Sequence, residues 1–149
     1  RNIIADTATF AGSVRWFDAA TGDLVARRLP EIVRGVAESM RATAEVEYTR
    51  GVPPTVNEPG MSALVREVAA GIEGVREAIP GVPIMGSEDF SEFTQRVPST
   101  FFHVGTRDEA SGKVWGHRHP KFDIDERPLP IGVEVMVESA LRWLRENAD

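Results

Sequence analysis

The chain has 149 residues, 42% hydrophobic and 27% charged, which suits one or two soluble globular units with enough apolar content for a core. A formal net charge of -6 argues against nucleic acid as the main partner, because phosphate binding needs clustered Lys and Arg. The absence of cysteine excludes disulfides, thiolate ligands and thiol nucleophiles, and no apolar run approaches the roughly 20 residues of a membrane span.

Residues 3–17 read as two short extended stretches, and Ser13–Phe17 has the bulky composition of a strand. Val25, Leu29, Ile32, Val36 and Met40 then recur at helical spacing, predicting a helix over Thr21–Met40. Asp18 or Thr21 would cap it, and Pro30 predicts a kink or a late start. Thr43–Thr49 alternates, with Ala44, Val46 and Tyr48 on one face and Glu45 and Glu47 on the other, as a half-buried strand does. Prolines 53, 54 and 59 and glycines 51 and 60 mark the best domain boundary. A second helix is predicted over Met61–Ile72, with Met61, Leu64, Val65, Val68 and Ile72 on one side and Gly71 and Gly74 weakening its end.

Residues 81–86 read as a loop or short strand. Ser87 offers an N-cap for a brief helix over Glu88–Arg96, which Pro98 would stop. Thr100–Val104 reads as a strand, Arg107–Lys113 as a polar loop, and Leu129–Arg145 as a last helix with Ile131, Val135, Val137, Leu141 and Leu144 available for burial. The order is β-α-β, a proline-rich joint, then mixed elements, which predicts an α/β (α+β) protein in two unequal parts.

Chemistry concentrates around the histidines. His117 and His119 flank Arg118, would point to one side of an extended segment, and have Asp123, Asp125 and Glu126 just downstream. Such a cluster could hold a divalent ion; it could equally be solvated side chains and helix-dipole partners. A catalytic zinc site takes three protein ligands, and this chain offers at most two neighbouring histidines. Gly86-Ser87-Glu88-Asp89-Phe90 is the second candidate: backbone N–H groups after Gly86 could meet an anion such as a substrate carboxylate, or the run could be an ordinary cap.

The run Met85-Gly86-Ser87-Glu88-Asp89-Phe90, with Val97-Pro98 and Thr100-Phe101-Phe102-His103-Val104-Gly105 after it, resembles the amidohydrolase branch of the dinuclear zinc-peptidase clan. That branch includes N-acyl-amino-acid amidohydrolases, hippurate hydrolases and auxin-conjugate hydrolases. His119-Pro120-Lys121-Phe122-Asp123-Ile124-Asp125-Glu126 and Leu129-Pro130-Ile131-Gly132 are similar to its closing segment. Asn2-Ile3-Ile4-Ala5-Asp6, Gly12-Ser13-Val14-Arg15 and Pro53-Pro54-Thr55-Val56-Asn57 are similar to stretches in and just after its lid. The motifs stand in the family's order along nearly the whole chain.

The resemblance implies half of a ferredoxin-like lid domain at residues 1–51, followed at 52–149 by the C-terminal part of a mixed-sheet catalytic domain. It implies hydrolysis of N-acyl amino acids or related small amides by a metal-activated water. Zinc or manganese would act in a longer parent protein, and none is expected to bind tightly to this chain, which lacks the upstream ligands and the catalytic Glu. Asn2 falls on a lid asparagine that reaches substrate, and Gly86 and Ser87 on a loop lining the pocket. His117 and His119 are the candidate metal ligands, because the family's usual ligand position, two before the proline, is Arg118 here. A guanidinium has no acceptor and cannot ligate a cation. The chain opens at Arg1 and reads as a piece of something longer, inactive alone. A cytoplasmic location and a homo-oligomer are the remaining expectations, the latter because uncovered strand edges invite self-association. Two other readings compete: a non-catalytic fragment or pseudoenzyme that self-associates through its lid-derived strands, and a small anion-binding module.

Overall fold

A computed structural model describes residues 2–148. Four helices are its regular elements: α1 (Ala19–Ser39), α2 (Pro59–Ala70), α3 (Ser91–Thr94) and α4 (Leu129–Glu146). Two compact units are present, one of Arg1–Pro54 with Ile84–Asp89, the other of Thr55–Pro83 with Phe90–Asp149.

The expected mixed-sheet α/β (α+β) architecture is overturned. No strand forms among the described residues, and the only β pairing is an isolated antiparallel bridge between Asp108 and Lys113. The segments 13–17, 43–49 and 100–104 form no strand. A helix closes its hydrogen bonds within itself, whereas a strand needs a neighbouring edge, and β-favouring composition cannot supply one. The period-two pattern over 43–49 survives without a ladder: Ala44, Val46 and Tyr48 are half-buried while Glu45 and Glu47 are exposed.

In the first unit, α1 starts where its cap dictates. The Asp18 carboxylate accepts from the Thr21 backbone N–H (2.8 Å) and hydroxyl (2.7 Å). These bonds hold its pKa below the ordinary value. The helix continues through Pro30 rather than starting after it. Its inward face is a stripe of smaller side chains, Gly22, Ala26, Val33 and Ala37, joined by Val25 and Leu29. Ile32, Val36 and Met40, expected on that face, are 53%, 60% and 77% exposed. Trp16 explains the choice at the first turn: a Cβ on Gly22 would lie 2.6 Å from the Trp16 ring, so only glycine admits the indole. Arg50 pairs with Asp23 and ties the end of the alternating segment to this helix.

In the second unit, α2 follows its predicted register, with Met61, Leu64, Val65, Val68 and Ile72 half-buried. It packs against α4, and the Arg142 guanidinium reaches Glu67 at 2.7 Å. The buried face of α4 is Gly132, Val135 and Ser139, whereas Val137 and Leu144 are 50% and 56% exposed. Small residues let a neighbour approach, and Val104 stands 2.9 Å from where a Cβ on Gly132 would sit. Few side chains are fully enclosed. Among the described residues no helix is long and apolar enough to cross a membrane.

Candidate functional site

The segment 106–127, all in the second unit, carries the densest polar chemistry, and a turn builds its base. Asp108 and Lys113 exchange backbone hydrogen bonds (3.1 and 2.8 Å), while the Asp108 carboxylate accepts from the Ser111 hydroxyl (2.8 Å) and the Ala110 N–H (3.1 Å). Arg127 then clamps two carboxylates, donating to Asp108 (2.8 Å) and to both oxygens of Asp125 (2.8 and 2.9 Å). The Ser111 hydrogen bond first, then Ala110 and Arg127, hold the Asp108 pKa below its usual value; hydrogen bonds from Arg127 do the same for Asp125. Lys113 donates to the Ile124 carbonyl (2.8 Å) and lies 3.4 Å from Asp123.

The histidines stand on a turn above this frame. His119 N–H donates to the Gly116 carbonyl (3.2 Å), and Phe122 N–H donates back to the His119 carbonyl (2.9 Å). The His119 ring lies flat on Trp115, centroids 4.0 Å apart and planes within 7°, and its Nδ1 accepts from the Lys121 N–H (3.1 Å). His117 meets Phe122 edge-on at 5.0 Å. Arg118 between them has φ +68°, a left-handed conformation uncommon outside glycine, asparagine and aspartate. That reversal replaces the extended geometry that would point both rings to one side.

Whether these residues fit a metal is decided by their commitments. Asp123 and Asp125, the carboxylates expected beside the histidines, are taken by Lys113 and Arg127. His119 uses one ring nitrogen and one ring face already. Among the described residues no group of three or more His, Cys, Asp or Glu is placed to hold a metal ion. His117 and His119 therefore do not fit a metal cage by themselves.

The other candidates lie in the first unit. Asn2 is exposed in a segment without regular structure, and Gly86 and Ser87 are exposed in the loop 84–89. The predicted helix Glu88–Arg96 is only Ser91–Thr94, and its N-cap is Phe90 with no side-chain hydrogen bond, so Ser87 caps nothing. A helix of one turn gains little from a cap four residues away.

Sequence reasoning passed over two features. One is a cavity of about 370 Å³ whose lining includes Arg107, Lys113, Trp115, His117, Phe122 and Ile124. The other is the clamp of Asn57 on Phe101, through Nδ2 to the carbonyl (2.8 Å) and from the N–H to Oδ1 (2.7 Å). The isolated Trp in a Gly-flanked loop was a faint signal for the first; nothing local announced the second.

Comparison with known proteins places this geometry in context. Residues 4–142 match the family described as "Peptidase family M20/M25/M40". The chain is 35% identical over 142 residues to "Putative amidohydrolase YhaA" of Bacillus subtilis, covering 95% of this chain and 36% of that protein. It is 32% identical over 151 residues to "IAA-amino acid hydrolase ILR1-like 2" of Arabidopsis thaliana (99% and 34%). It is 35% identical over 132 residues to "Thermostable carboxypeptidase 1" of Saccharolobus solfataricus (88% and 33%). The chain thus spans about a third of the length of the curated relatives it matches.

Proposed function

Because the chain belongs to the peptidase family M20/M25/M40, we propose that the protein it represents hydrolyses the amide bond of N-acyl amino acids or related small amides. The observation that carries this reading is the family match over residues 4–142, together with relatives whose names include an amidohydrolase and an IAA-amino acid hydrolase. The chain's own motifs support it, since 85–90, 100–105 and 119–126 stand in the order that the resemblance requires.

Within that reaction this chain supplies binding rather than bond-breaking groups, and no residue of it is assigned a catalytic role. Asn2, an exposed residue, offers its side-chain amide to a substrate carbonyl or carboxylate, and the exposed Gly86–Ser87 loop offers backbone N–H groups to the same substrate. Divalent ions, zinc or manganese, belong to this reading for the whole protein. The described residues do not fit a two-ion cage, and the reaction's metal chemistry is not drawn through His117 or His119.

The test uses the full-length gene product that contains this chain. It should release amino acid from N-acetyl- and N-benzoyl-amino acids and lose that activity on prolonged chelation, with recovery on adding zinc or manganese. Asn2→Ala in the same protein should raise KM more than it lowers kcat. Metal-replete full-length protein that cleaves no N-acyl amino acid would overturn the proposal.

A further inference from the structure

We propose that α4 carries a second docking face, the stripe Val133, Met136, Val137, Ala140, Leu141 and Leu144, and that polypeptide of the same protein outside these 149 residues covers it. The spacing is that of one helix face. At 3.6 residues per turn these positions fall within an arc of about 140°. No charged residue of α4 lies inside that arc. Glu134, Glu138 and Arg145 share a separate sector, the side such a helix turns to water, and Gly132, Val135 and Ser139 form the buried side.

The packing of α2 does not account for the stripe. Arg142, next to the buried side on the helix wheel, reaches Glu67 of α2 at 2.7 Å, which puts α2 across the helix from the stripe. Val133 and Met136 are 61% and 63% exposed, and Val137, Leu141 and Leu144 are exposed with them. Single apolar side chains at a surface need no explanation, but a run in helical register does. A helix that is apolar on two sides, with one narrow charged sector, has the pattern of a helix inside a larger core.

Two observations choose the occupant. The chain spans about a third of the length of the relatives it matches, so a protein of their length has roughly twice as much polypeptide again to lay on this face. The only buried apolar side chains among the described residues are Ala69 and Val135, one on α2 and one on α4. A second copy on α4 would cover one patch, whereas a core this small calls for further elements of the same domain. Covalent linkage also favours them, because a tethered segment meets the stripe at an effective concentration in the millimolar range, far above that of a free second copy. The inference takes the length from family membership and does not depend on amide hydrolysis.

The test uses the full-length gene product. Val133→Cys and Val137→Cys place thiols on the stripe, and Glu134→Cys and Arg145→Cys place reference thiols on the charged sector. Labelling of the native protein, read by mass spectrometry of the α4 peptide, should be about a hundredfold slower or more on the stripe than at the reference sites. A photoreactive diazirine analogue of methionine, incorporated at Met136 without any other change, identifies what lies over it. Cross-linked peptides containing Met136 should come from the monomer-mass band and join to peptides outside the 149 residues. Stripe thiols that label within a few fold of the references would overturn the proposal. So would Met136 cross-links confined to the dimer-mass band, which assign the face to a second copy, or cross-links that end within the 149 residues. Neither readout involves catalysis, so a full-length protein that cleaves no N-acyl amino acid would sink the proposed function and leave this inference standing.

Discussion

Asn57 pairs with the backbone of Phe101 as a strand neighbour would, giving its Nδ2–H to the carbonyl at 2.8 Å and taking the N–H on Oδ1 at 2.7 Å. Around it, the Glu58 N–H donates to the Ser99 carbonyl (2.8 Å), and the Ser62 and Thr100 hydroxyls lie 3.0 Å apart. One side-chain amide thus fastens the segment before α2 to the segment 99–101. Phe101 in turn packs against Phe90 (5.6 Å) and His103 (5.2 Å).

Removing that amide should be costly because both Phe101 groups would lose their partner. Asn57→Ala is expected to destabilise the chain by about 0.5–1.5 kcal/mol, read as a lower urea midpoint at unchanged slope. Asn57→Asp should be worse than Ala at pH 7, where a carboxylate oxygen faces the Phe101 carbonyl. Relative to wild type it should recover near pH 3, where the protonated acid can donate. An Asp variant equal to Ala at both pH values would show that the pairing is not directional.

The clamp of Arg127 on Asp108 and Asp125 makes stability fall in acid. Both carboxyls have folded pKa values below the ordinary 3.8, so their contribution is fully present above that value and is lost as pH drops through the folded values. The urea midpoint should therefore decline below about pH 4. Arg127→Met should flatten the part of that decline due to Asp125, whose largest cause is Arg127, more than the part due to Asp108, whose largest cause is Ser111. High salt should weaken the effect, because Arg127 is 76% exposed.

Two glycines of α1 should respond in opposite directions to the same change. At Gly22 a methyl would meet the Trp16 ring at 2.6 Å, so Gly22→Ala should lose roughly 1 kcal/mol net despite the better helix propensity. At Gly35 nothing lies within 4 Å, so Gly35→Ala should gain roughly 0.5–1 kcal/mol. Thermal midpoints of the two variants would check both signs at once. Trp16→Ala should abolish the penalty at Gly22.

On α4, a buried hydroxyl and a surface ion pair should differ in the same way. Ser139 is 8% exposed and its Oγ has no hydrogen-bond partner among the described residues, so Ser139→Ala should stabilise by about 1 kcal/mol through relief of an orphaned polar group and better helix propensity. Arg142→Ala, which releases Glu67 at an exposed site, should cost no more than about 1 kcal/mol, and less in high salt. A salt-independent loss at Arg142 would show that its stem packs α2 against α4.

What the sequence by itself determined is whatever closes locally. The Asp18 cap, the α2 register over Met61–Ile72, the existence of α4 and the alternating burial of 43–49 all depend on neighbours within a few residues. The family too was legible, through ordered motifs that needed no fold to be recognised. Only the tertiary structure decided where distant groups meet. It left 13–17, 43–49 and 100–104 without a ladder, since pairing is a property of two segments and not one. It turned α4 toward Gly132, Val135 and Ser139, since close approach favours small side chains over the greasiest ones. It gave Asp123 to Lys113 and Asp125 to Arg127, and set the histidine rings against Trp115 and Phe122. Composition names the charges in a segment; only the folded chain says which opposite charge each one spends itself on.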